Sequence, residues 1–195
     1  MSVESTSDPF TRDEIRAGLE QLHDESVRYW LSFPTAHFFE KIGDAWSPSE
    51  NVRHLTKSMR AVTKGLRLPR MFVRLAFKAA TRPSRSYVEM RTVYRETLSR
   101  GGKAGKFGPG EAPAPVDTEG YRARIMSYHA TAVSVLCSAV SKWSEKDLDR
   151  LQLPHPLMGP LTVREMLLFT LYHNSHHVEG VRKRLGNLNA KGNNE

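Results

Sequence analysis

The sequence predicts an all-α protein: a four-helix bundle with a long crossover and a basic helical and loop insertion between its second and third long helices. Three observations predict it. Apolar residues recur at helical spacing over four long stretches, and three of these open on a capping box. No stretch reads as a β-strand. Glycine and proline crowd into one place, between the second and third stretches, where a crossover of such a bundle would run.

Taken in order, Thr11 and Glu14 form the first capping box, and Phe10 and Ile15 are placed for a hydrophobic staple. Ile15, Leu19, Leu22, Trp30 and Phe33 keep helical spacing, so a helix runs over 12–32 and stops at Pro34. Ser47-Pro48-Ser49-Glu50 combines an N-cap, proline at the first helical position and a capping glutamate. Val52, Leu55, Met59 and Val62 then give the apolar stripe of a second helix over 48–64. Shorter helices are expected near 69–80 and 85–99. From Gly101 to Pro115 the chain reads as a long flexible connection. It is not a phosphate loop, because Phe107 follows Gly105-Lys106 where Ser or Thr is needed and Arg100 stands where the first glycine belongs.

Ile125, His129, Ala132, Val133, Leu136 and Val140 mark one face of a third helix over 118–142. A short turn after Ser144 leads into Leu153-Pro154-His155-Pro156-Leu157-Met158-Gly159-Pro160, which cannot be regular helix. Thr162 and Glu165 form another capping box, and Gly186 reads as the stop of a fourth helix over 163–185. The whole chain, 1–195, reads as a single domain with its insertion at 66–117 and a frayed tail over 187–195.

Composition narrows the function classes. With 195 residues, 39% hydrophobic and 26% charged, the chain can bury a sizeable core and is neither disordered nor fibrous. The single cysteine, Cys137, excludes an intrachain disulfide and a cysteine-based zinc ribbon. The first residues carry no basic and apolar leader, and no run approaches the roughly 18 apolar residues of a membrane span, so a cytoplasmic protein is expected. The net charge is +8, concentrated between residues 51 and 106, where 15 Lys and Arg face only Glu89 and Glu96. Such a field could draw nucleic acid, an anionic small molecule or an acidic surface, or simply keep one face solvated.

Eight histidines stand at 23, 37, 54, 129, 155, 173, 176 and 177. On one helix, His173 and His177 lie about 40° apart and can both reach one ion. His176 falls about 160° from the centre of that helix's apolar stripe and should face elsewhere. Asn174 occupies the glutamate position of the zinc-peptidase signature, so no adjacent general base is supplied. For a third ligand, spacing leaves His54 and His129 in competition: one sits at the flank of its helix's stripe, the other near the centre. The one not used is expected to be a buried, hydrogen-bonded core histidine.

Two segments resemble the DinB-like superfamily of metal-dependent bacterial proteins. One runs from Trp46 through Ser47-Pro48-Ser49-Glu50-Asn51-Val52-Arg53-His54 to Leu55; the other from Pro156 through Gly159-Pro160-Leu161-Thr162 to Phe169, continuing to His173 and His177. The resemblance implies a four-helix bundle and a metal triad of His54, His173 and His177, which leaves His129 to the core or the surroundings of the site. Three neutral imidazoles with one position open are the pattern of a catalytic rather than a structural site. Zinc is the default ion, with nickel, iron and manganese as alternatives. Characterised relatives include thiol S-transferases and isomerases, so the resemblance implies an anionic low-molecular-weight thiol and an electrophilic small molecule as partners, and a homodimer. Hydrolysis by an activated water is the other enzymatic reading.

Two further readings stand beside it: a nucleic-acid or anion-binding bundle acting through the basic segment, and a dimeric bundle whose metal is structural or absent. Against nucleic acid, the basic residues are not interleaved with an aromatic stacking platform, and no known recognition motif is present. The 66–117 insertion has no counterpart that the resemblance aligns. Trp46, Phe38 and Phe39 read as packing residues, and Cys137, on the edge of an apolar helix face, as an inert thiol.

Overall fold

Local chemistry starts the long helices where the sequence signals it. In the computed structural model, which describes Asp8 and residues 10–110 and 116–192, helix α1 (Arg12–Leu31) begins at Thr11 with both arms of its capping box made. A five-residue helix α2 (Thr35–Phe39) follows Pro34. Helix α3 (Pro48–Leu66) starts at Ser47, again with a complete capping box. Helix α6 (Thr118–Val140) is capped by Asp117, and helix α8 spans Val163–Gly192. Packing is cyclic: α1 lies against α6 and α8, and α3 against the same two, which gives an all-α four-helix bundle. Ile15, Met59, Leu136 and Leu167 share one part of its core; Trp30, Leu55, Ile125 and Val178 share the other.

The connection between α3 and α6 carries helices α4 (Arg70–Phe77) and α5 (Tyr87–Ser99) and a single 3-10 turn at Gly105–Phe107. Helix α5 packs along α8. The glycine-rich stretch is tied to α3, where Arg53 donates to the carbonyls of Pro109 and Gly110 and Lys57 to that of Gly108. Its last residues, 111–115, lie outside the described residues.

Three expectations need correction. The turn after Ser144 is a short helix, α7 (Glu145–Arg150), capped by Ser144 itself. The segment beyond it forms an antiparallel hairpin, β1 (Gln152–His155) with β2 (Gly159–Thr162), in which Pro154 stands opposite Pro160 and Gly159 takes a φ of +73°. Prolines hid these strands. A two-stranded ribbon has open edges on which a missing N–H costs little, so both prolines fit. Finally, α8 does not stop at Gly186, and its last turns occupy much of the expected tail. A helix-ending glycine acts by adopting positive φ, and Gly186 keeps a negative one. Residues 193–195 lie outside the described residues. No helix among the described residues is long and apolar enough to cross a membrane.

Candidate metal centre

The start of α3 sets the site. Ser47 fixes the first turn, and one turn later Asn51 donates its amide hydrogens to the carbonyls of Trp46 and Ser47, at 3.2 and 2.8 Å. That leaves only Oδ1 to face away, and it lies 2.6 Å from His177 Nδ1. An amide oxygen can only accept, so His177 Nδ1 carries the hydrogen and Nε2 is left with a free lone pair. The same logic fixes His54, whose Nδ1 donates to the carbonyl of Phe107 at 2.7 Å. His173 is held by packing instead. Its ring stacks on Phe169 with centroids 4.9 Å apart, and its Nδ1 is buried without a partner.

The three Nε2 atoms converge. Those of His54 and His177 lie 3.0 and 3.1 Å from that of His173, and the three ligand atoms all fall within 4.8 Å of one another. Burial lowers the pKa of all three; the other imidazoles push His173 and His177 further down, and Lys57 adds to the effect on His54 against the Phe107 carbonyl. They are therefore neutral at pH 7. The Nε2 lone pairs of His54 and His177 both lie against His173 Nε2, whose one ring hydrogen can serve at most one of them, and burial makes an added proton costly. A divalent cation answers that arrangement, and the donor set fits one.

The cluster opens on a cavity of about 550 Å³. Leu153 and Leu157 from the hairpin, Phe77 and Leu98 from the crossover and Val62 from α3 give it an apolar wall. Its charged lining residues are Lys64 and Lys106; no carboxylate lines it among the described residues.

The sequence matches the DinB superfamily model over residues 10–180. The chain belongs to the DinB superfamily. Among solved structures, "TT2238, a four-helix bundle protein" superposes on it with a TM-score of 0.55 at 17% identity, covering 89% of this chain and 99% of that one. No curated protein matches the chain.

In this DinB superfamily protein the histidine pair expected from helical spacing meets His54, and His129 lies elsewhere. His129 is fully buried beside the Thr56 hydroxyl, 3.0 Å away, with its ring 5.6 Å from that of His23. Burial pushes it down to about 3. His176 stays out of the cluster but does not face away from the site, because it lines the cavity with its ring 5.6 Å from that of Tyr94. Trp46 is also corrected: half-buried, it lies parallel to His177 at 5.9 Å and lines the cavity, whereas Phe38 is core as expected. Cys137 is buried on α6, and burial pushes its thiol up to about 11.

Two functional residues escaped the sequence reading. Asn51 precedes His54 by three residues, and that i, i+3 spacing after a fixed cap was the signal for it. His155 had none, since its place depends on the hairpin. There its Nδ1 accepts from the backbone N–H groups of Leu157 and Met158, both at 3.2 Å, and burial pushes it down to about 4.

Proposed function

We propose that His54, His173 and His177 hold a divalent metal ion, zinc by default and nickel, iron or manganese as alternatives, and that the protein is a thiol S-transferase. In this reading it joins an anionic low-molecular-weight thiol to an electrophilic small molecule. The observation that carries it is the convergence of three neutral, orientation-fixed Nε2 atoms on the wall of an apolar cavity. A metal held by these three residues would supply Lewis acidity at the cavity wall and would lower the pKa of a thiol bound to it.

The chain's own residues do the rest. Asn51 and the Phe107 carbonyl hold two rings in the tautomer that presents Nε2. Trp46 and Phe169 flank the imidazoles and restrict water, while the basic field of residues 51–106 favours arrival of an anionic thiol. In the transfer, the thiol proton leaves to solvent, a carbon–sulfur bond forms, and the bond to the leaving group breaks with its electron pair. No carboxylate lines the cavity among the described residues, so a hydrolytic water would have to use a histidine as its base.

The test is metal content by plasma mass spectrometry on purified protein beside the His173→Ala/His177→Ala variant. About one metal per chain, lost in the variant, is the expected result, followed by metal-dependent consumption of a thiol in a screen of electrophiles. A chain that stays empty after reconstitution with zinc and with nickel overturns the reading.

A further inference from the structure

Lys64, in the last turn of α3, and Lys106, in the 3-10 turn, both line the cavity, and neither pairs with a carboxylate among the described residues. They come from separate elements, α3 and the crossover, and both are exposed, which puts them at the solvent side of the cavity. Deeper in, His155 adds a third donor: because its Nδ1 accepts two backbone hydrogens, its own hydrogen sits on Nε2. That Nε2 has no protein partner among the described residues, and it is not among the fully buried polar atoms. Around these donors the wall is hydrocarbon and aromatic. An acidic group on a ligand would meet cations and an N–H and no competing carboxylate; an organic cation would meet two lysines and no carboxylate to pair with.

We infer that the cavity takes a ligand with an apolar body and an oxyanion, the oxyanion held by Lys64 and Lys106 and the body against Phe77, Leu98 and Leu157. The inference rests on the transferase reading in one respect, in that it names the class of the electrophilic substrate. The cavity is large enough for a body of two fused rings with a side group.

Two dyes with the same apolar body test it, anilinonaphthalenesulfonate and N-phenylnaphthylamine, which lacks the sulfonate. Their dissociation constants are read by fluorescence titration at about 10 mM salt, where charges are little screened. The sulfonate dye should bind about tenfold more tightly, and the Lys64→Gln/Lys106→Gln variant should cut that preference to about threefold or less. Equal affinities in the wild type, or an unchanged ratio in the variant, overturn the inference. Each titration is run with and without zinc. Zinc binding without a dye preference removes this inference and leaves the metal reading; a dye preference in a chain that binds no zinc does the reverse.

Discussion

Asn51 shows how much of a metal site can depend on a residue that touches no metal. Its amide hydrogens are committed to Trp46 and Ser47, so its oxygen has one remaining direction, and His177 stands in it. Asn51→Leu keeps the volume and removes the acceptor. Zinc affinity should fall about 10- to 100-fold in a competitive chelator titration, with the helical circular-dichroism spectrum unchanged. His129→Ala should leave zinc affinity intact while lowering stability by about 2 kcal/mol, read from denaturant unfolding. At this scale the sequence was half legible. Spacing alone put His173 and His177 on one side of one helix, but could not decide between His54 and His129. A helical wheel gives a residue's phase on its own helix and says nothing of what stands opposite; His54 faces α8, whereas His129 faces His23 on α1. Trp46 and His155 were harder still, because loops and hairpins leave no periodic trace.

Among the elements, the start of α8 does two jobs with one carboxylate. Thr162 and Glu165 make the capping box that the spacing predicted. The same carboxylate, fully buried, also accepts from Arg82 and Arg85, which lie 83 and 80 residues away, and so fixes the crossover to the bundle. Spacing could reveal the cap; no local pattern could reveal partners that distant. Burial alone would raise the pKa of Glu165, but the two arginines and two backbone N–H groups hold it down, to about 2. Its folded value is thus depressed. The stability it contributes is complete above the ordinary glutamate value of about 4.3 and fades as pH falls from there toward 2. Glu165→Gln should cost about 3 kcal/mol at pH 7 and flatten the loss of stability across that acid window, measured by urea unfolding at a series of pH values. Hydrogen exchange in that variant should speed up first in α4 and α5.

Across the whole molecule, the proposed ion would join α3 to α8 through residues separated by more than a hundred positions. At a free zinc concentration about 100 times its dissociation constant, binding should add about 2.7 kcal/mol and raise Tm by about 5–10 °C, and a chelator should remove that gain in scanning calorimetry. In His54→Ala the chelator should change little. The bundle itself was legible because four long stripes each need a partner to bury them; the cavity was not, because its wall is shared by a hairpin disguised by prolines and a crossover whose shorter helices carry weaker patterns. Cys137 acquires a meaning in this setting. A catalyst that brings electrophiles to a thiol risks becoming their target, and this chain's one sulfhydryl is buried on α6 and protonated throughout the neutral range. In the proposed transfer, alkylation of Cys137 itself is disfavoured by that placement, so alkylating reagents can be tried as substrates with little loss through this sulfhydryl.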